Sequence, residues 1–101
     1  MAEFTRLTRA QTKLCDRVQA LRRARTRLIL ARVAAEATLS LTATIGGRLD
    51  AADPDNDAAR TLLSDRAADA RGTLETVDGA LRWTTTVLAK TLDALGGGRP
   101  L

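Results

Sequence analysis

The sequence predicts an all-α fold, an antiparallel hairpin of two long helices, and three observations support this prediction. Alanine and leucine dominate the apolar residues, with 19 and 16 copies against four valines and two isoleucines, and both are strong helix formers. Apolar residues recur every three or four positions through two long stretches, which is the spacing of helices packed lengthwise. One acidic segment that contains a proline separates the two stretches.

The first predicted helix covers residues 4–46. Leu7, Leu14, Leu21 and Leu28 lie seven residues apart, which aligns them along one seam of a helix. The seven-residue series continues through Ala35, Thr42 and Leu49. The positions three residues after its members complete the predicted seam with Ala10, Arg17, Ala24, Ala31, Thr38 and Ile45. The glycine pair at 46–47 is expected to end the helix with a left-handed residue, a common role of glycine.

The second predicted helix covers residues 54–95, because Asp53 suits the N-cap and Pro54 the first helical position. Its predicted seam is Leu63, Ala67, Ala70, Leu74, Val77, Leu81, Thr84, Leu88, Thr91 and Leu95. We therefore expect one helical-hairpin domain, residues 1–95. A flexible glycine-rich tail, residues 96–101, is expected to follow it.

The pairing of the two helices also follows from the sequence, since a short turn between long helices forces them antiparallel. Folding the chain near Pro54 pairs residues whose numbers add to about 109, which places Arg32 beside Asp78. The predicted seam pairs are Ile45–Leu63, Ala35–Leu74, Leu28–Leu81, Leu21–Leu88 and Leu14–Leu95.

The first helix carries more apolar side chains than one seam can bury. The additional positions, which form the predicted self-association interface, are Ile29, Leu30, Val33, Leu39 and Leu41. Because soluble monomers avoid large apolar patches, we expect two hairpins to form a four-helix bundle as a homodimer or homo-oligomer, or one hairpin to dock on a second helical protein. The alternative is a monomer of three or four helices, with a break at Gly72 or Gly79.

A stripe of the second helix faces away from the seam and combines two glycines with the only tryptophan. It is formed by Gly72, Thr76, Gly79 and Trp83. Small residues beside an indole would let a partner helix approach closely. Alternatively, the glycines merely tolerate solvent and the indole lies on its own helix.

The residue types argue against an enzyme. The chain has no histidine and no tyrosine, so acid–base and nucleophilic chemistry would have to rely on carboxylates, one lysine and Cys15. No metal-ligand spacing and no phosphate-binding glycine loop is present, so we expect no cofactor, no metal and no catalytic residue. A single cysteine cannot form an internal disulfide and is expected to be a packed or idle thiol; the alternatives are an intersubunit disulfide and a reactive thiol.

Positive charge concentrates in the first helix, where residues 1–35 hold nine basic and two acidic side chains, a net +7. The densest basic positions are Arg22, Arg23, Arg25 and Arg27. They predict either a solvated basic face or contacts with nucleic acid or another polyanion, which would weaken with salt. Arg32 and Glu36 interrupt the most apolar window and no signal peptide is visible, so no membrane span and a cytoplasmic location are expected.

A hairpin of about 100 residues rich in small side chains resembles the small Trp-x-Gly secreted proteins of type VII secretion. Those proteins carry Trp-x-Gly in the bend, where this chain has Ile45-Gly46-Gly47, and their Tyr-x-x-x-Asp/Glu export signal has no counterpart because tyrosine is absent. The resemblance covers architecture alone and implies a secreted or membrane-interacting dimer. From the residues themselves we expect a non-enzymatic protein–protein interaction module: a scaffold, an adaptor or a small accessory or regulatory subunit.

Overall fold

In the computed structural model, which describes residues 8–96, two long helices run antiparallel and pack against each other along their length. Helix α1 spans Arg9–Arg48 and helix α2 spans Asp57–Leu95, with a 3₁₀ turn at Pro54–Asn56 between them. The radius of gyration is 22.2 Å, against about 13 Å for a compact domain of this length. The predicted all-α hairpin is confirmed, and its shape is a rod.

Helix α1 begins later than the predicted residue 4. Thr8 is the N-cap and has an extended backbone, so the helix cannot pass through it. The Thr8 hydroxyl accepts a hydrogen bond from the Gln11 N–H at 3.0 Å, and the Gln11 side chain accepts one from the Thr8 N–H at 2.9 Å. This capping box satisfies two free donors of the first turn. The predicted start near residue 4 otherwise lies outside the described residues.

The prediction that the glycine pair ends α1 is wrong. The helix continues through Gly46 and Gly47 to Arg48, and neither glycine adopts the left-handed conformation. The helix ends where Leu49 becomes extended and donates its N–H to the Gly46 carbonyl. Gly46 lies in the seam instead, where it lines a groove of about 310 Å³ together with Leu63 and Ala67.

We expect Gly46→Ala to stabilise the protein by about 1 kcal/mol, the helix-propensity difference between the two residues. A Cβ added there would meet no atom within 4 Å, so nothing opposes the gain. Chemical denaturation followed by circular dichroism measures the effect. Gly47→Ala is the matched control, because it adds the same propensity on an exposed site. Destabilisation by Gly46→Ala would show that the helix ends at this residue after all.

Asp53 and Pro54 begin the 3₁₀ turn and not, as predicted, α2 itself; the N-cap of α2 is Asn56, which makes no side-chain capping hydrogen bond. The Asp53 carboxylate accepts a hydrogen bond from the Asp55 N–H at 2.9 Å, and Pro54 occupies the first position of the 3₁₀ turn. Just before this turn, the Asp50 carboxylate accepts a hydrogen bond from the Ala52 N–H at 2.9 Å. These short-range bonds reverse the chain direction and set where α2 begins, close to the predicted residue 54.

Helix α2 is unbroken through Gly72 and Gly79, so the alternative of a monomer with a third or fourth helix is wrong. The interior hydrogen bonds persist because isolated glycines cost a helix only about 1 kcal/mol each, which the packing of its neighbours offsets. The helix ends at Leu95, as predicted, and Gly96 donates its N–H to the Leu92 carbonyl at 2.9 Å. The remainder of the predicted tail, residues 97–101, lies outside the described residues.

The seam of α2 is the predicted one, since all ten of its residues are buried or half-buried. Among the described residues the seam of α1 differs at four positions. The predicted members there are exposed and the residue after each is buried or half-buried, which replaces Ala10, Arg17, Thr38 and Ile45 by Gln11, Val18, Leu39 and Gly46. Leucine spacing fixes one member of each heptad, but the second member can lie three or four residues later. In the structure the second member lies four residues after the first at these sites, which keeps the Arg17 side chain in solvent.

The predicted register is confirmed. Arg32 Nε lies 3.5 Å from Asp78 Oδ1, and Leu21 packs with Val18 and Leu88 in the buried cluster. The ion pair is about half exposed, so it contributes little to stability. Among the described residues, six apolar side chains are 5–8% exposed and no large one is fully enclosed. The hairpin therefore has a thin core, one seam wide.

Candidate interaction surfaces

The predicted self-association residues divide between two environments. Ile29, Leu30, Val33 and Leu41 are 43%, 64%, 57% and 60% exposed. Leu39, in contrast, is half-buried and lines the groove around Gly46 between the helices. Leu39 therefore belongs to the hairpin's own seam, because the seam shifts by one residue at this heptad. Four of the five predicted interface residues lie on the free surface.

A second apolar repeat runs along the outside of α1, which we call the outer ridge. Its members are spaced three or four residues apart, all are exposed, and they are Leu30, Ala34, Ala37, Leu41 and Ile45. Residues at this spacing share one face of a helix. A polar strip lies on the opposite side of the helix from the ridge, where Arg32 Nε contacts Glu36 Oε1 at 3.1 Å. The outer ridge has the pattern of a helix seam but no partner helix within the hairpin.

An alanine-floored groove of about 360 Å³ lies next to the outer ridge and includes one of its residues, Ala34. The other lining residues are Ala31, Ala35 and Thr38 of α1 and Arg66, Asp69, Ala70 and Thr73 of α2. Leu62 and Trp83 lie seven and fourteen residues from Asp69, which places them on the same face of α2. Their exposed fractions are 55% and 61%. One broad face thus combines large apolar side chains with a floor of small ones.

The stripe of Gly72, Thr76, Gly79 and Trp83 is a continuous helical surface. Thr76 and Trp83 are exposed, and a Cβ added at either glycine would meet nothing within 4 Å. The hairpin itself therefore has no steric need for these glycines. The predicted partner contact on this stripe stays a prediction.

The arginine cluster, Arg22, Arg23, Arg25 and Arg27, does not form one flat face, because successive residues turn by about 100° around a helix. Arg23 and Arg27 continue the outer ridge at its four-and-three spacing, whereas Arg22 and Arg25 line a pocket with Ile29. All four are exposed. Within the described residues, none has a carboxylate within 4.0 Å, and the ion pairs there involve only Arg32 and Arg60.

The thiol and the acidic side chains of the described residues are dispersed. The Cys15 thiol is half-buried and free. No three acidic or thiol side chains between residues 8 and 96 are grouped so that they could hold a metal ion. The apolar and basic surfaces described above are the candidate functional features of this part of the chain.

Helix α1 also contains an 18-residue window with a mean hydropathy of 1.5, of which only 6% is buried. By length and composition it could cross a membrane, a test that core helices of soluble proteins and signal sequences also pass. The window's apolar character is the same property that produces the outer ridge.

The chain matches no protein-family model, no curated protein and no solved structure, so its function is inferred from its geometry alone.

Proposed function

We propose that this protein is a non-enzymatic helical interaction module that associates with itself through the outer ridge of α1. The observation that carries the proposal is the exposure of Leu30 and Leu41, at 64% and 60%, on a helix face with the periodicity of a packed seam. A side chain of this kind gains about 1.5–3 kcal/mol on full burial. A second helix packed along the ridge would bury the large apolar side chains of the ridge and gain this free energy for each of them.

The expected assembly is a homodimer in which two hairpins make a four-helix bundle. A lone hairpin buries one seam, and its core holds no fully enclosed large side chain among the described residues. Bundles of four helices bury two faces of each helix, so a dimer would add a second buried face to α1 and enlarge the core. The alanines beside the ridge let the backbones of two hairpins approach closely, which improves packing.

An aqueous and cytoplasmic setting forms part of the proposal. Arg32 and Glu36 lie inside the apolar stretch, and each charge at the centre of a membrane helix costs about 2.5–3.5 kcal/mol on insertion scales. In the hairpin both are half exposed and Arg32 contacts two carboxylates, Glu36 and Asp78. Water and a second protein surface accommodate these charges more readily than lipid does. A scaffold, adaptor or accessory subunit is the role that such a surface serves.

The test is sedimentation or light scattering of the full chain across a dilution series. We expect a mass twice the 10.8 kDa of one chain at micromolar concentration, falling toward the single-chain mass on dilution. A flotation assay with neutral phosphatidylcholine vesicles runs beside it, and the protein should stay in the aqueous fraction. A single-chain mass at every concentration would contradict the proposal, and so would flotation with the vesicles.

A further inference from the structure

We propose that the second copy lies antiparallel on the outer ridge, with the arginine cluster of each copy beside the acidic turn of the other. By the acidic turn we mean the segment of residues 46–57 with its four carboxylates, Asp50, Asp53, Asp55 and Asp57. The inference rests on the proposed self-association and specifies its geometry. It also gives the arginines a protein partner.

The apolar positions allow both orientations. In an antiparallel pair centred between Ala34 and Ala37, Leu30 of one copy faces Leu41 of the other, and the two alanines face each other. In a parallel pair each residue faces itself, so leucine again faces leucine. Packing of the ridge therefore does not decide the orientation, and the charges at its two ends do.

The hairpin is electrically polar along its length. The antiparallel fold brings residues 9–27 and 82–96 to one end, where nine basic and two acidic side chains give a net +7. Residues 28–81 form the rest of the described rod, where five basic and nine acidic side chains give −4. A parallel pair would place like ends together. An antiparallel pair places each basic end against an acidic one.

The local match is closer than the net charges show. The arginine cluster lies about 9–14 residues before the centre of the ridge, or roughly 13–21 Å along the helix. The first carboxylate of the acidic turn, Asp50, lies a similar distance after it. Reversing one copy about the ridge centre therefore brings Arg22 level with Asp50 of the other copy, and the rest of the cluster level with residues 44–48 just before it. The cluster has no ion pair within the described residues, and the carboxylates of Asp50 and Asp53 accept hydrogen bonds only from backbone N–H groups there.

One residue supplies an internal control of opposite sign. Arg48 lies at the acidic end of α1 and is exposed, so in the antiparallel pair it faces Arg23 of the second copy. It is the one element of the contact that repels. Reversing its charge should tighten the dimer, whereas reversing Arg22, which lies level with Asp50 of the second copy, should weaken it.

The first experiment measures the dimer dissociation constant of charge variants by sedimentation at two salt concentrations. We expect Arg22→Glu and Arg27→Glu each to raise it about tenfold, and Arg48→Glu to lower it several-fold. The wild-type constant should rise with salt, because attractive charges are screened. Arg82→Glu is the matched control: it removes charge from the same end but on α2, and should change the constant less than threefold.

A parallel dimer predicts the reverse signs, since Arg22→Glu and Arg27→Glu would then relieve repulsion between like basic ends, and that result overturns the inference. Retention on heparin is measured for the same variants. If the arginine variants Arg22→Glu and Arg27→Glu lose retention on heparin but keep the wild-type dimer dissociation constant, the arginines bind a polyanion, and the inference is overturned as well. Unchanged dissociation constants for all variants overturn it too.

The second experiment reads orientation directly by thiol cross-linking. In a Cys15→Ser background, single variants Thr26→Cys and Thr44→Cys are mixed, one carrying a tag that changes its mass, and treated with a short bis-maleimide. The antiparallel pair brings these unlike positions to one level, while like positions lie roughly 25–28 Å apart along the helix. We expect the mixed product to dominate. Products of like chains alone would overturn the orientation and leave self-association standing, whereas single-chain mass without product would overturn the proposed function itself.

Discussion

Replacing Leu88 by alanine should destabilise the hairpin by about 3 kcal/mol, within the 2–5 kcal/mol range for buried leucines. Leu88 is 7% exposed and packs with Val18 and Leu21 in the buried cluster of the seam. The loss combines the transfer of apolar groups to water with the cavity left behind. Because small domains are stable by only about 5–15 kcal/mol, this one change removes a large share of the total. Urea denaturation followed by circular dichroism measures it.

Leu92→Ala is the matched control for this prediction. It makes the same chemical change one turn further along α2, at a side chain that is 41% exposed. Its expected cost is below about 1 kcal/mol, since surface substitutions rarely exceed that. Equal losses at the two positions would contradict the seam, because the structure places only Leu88 between the helices.

Leu30→Glu and Leu41→Glu should each dissociate the dimer while leaving its helices folded. Both side chains are mostly exposed in the hairpin, so a carboxylate there costs the monomer little. In the proposed dimer the same carboxylate would be buried without a partner, which costs several kcal/mol and at least a hundredfold in affinity. Light scattering reports the mass and circular dichroism the helix content.

Two further variants make this result specific. Ser40→Glu places the same charge one residue from Leu41 but on the polar strip, and should keep the dimer. Leu39→Glu puts the charge in the seam of the hairpin. Because Leu39 is half-buried there, we expect loss of helical structure in addition to any loss of mass. Dimers that survive both Leu30→Glu and Leu41→Glu would show that the outer ridge is not the interface.

Much of the fold was predictable because helical periodicity, capping and turn chemistry are local. The seven-residue leucine spacing, the Asp53-Pro54 start and the Ala- and Leu-rich composition predicted two helices and a turn. Antiparallel register then followed from the position of the turn, and the Arg32–Asp78 contact at 3.5 Å confirms it. The helix ends were less predictable. Glycine at 46–47 has helical geometry here because the capping geometry at Leu49 and Asp50 ends the helix later.

The candidate interface was only partly predictable. Ile29, Leu30, Val33 and Leu41 were recognisable as apolar residues outside the leucine series, and the structure leaves all four exposed. Leu39 could not be assigned from spacing, since a seam residue three or four positions after a leucine fits equally well. The signal available in the sequence was Arg17, whose charge resists burial and favours the later position in its own heptad.

The sequence by itself determined the two helices, the turn and their pairing, since each depends on residues close in the chain or on a symmetry about one point. Only the tertiary structure decided which residues of α1 face its partner and which form the outer ridge. That division depends on how the twist of two packed helices accumulates over forty residues, and no local pattern contains it. The same fold also brought nine basic side chains from two distant segments to one end of the rod, a juxtaposition that exists only once the chain reverses.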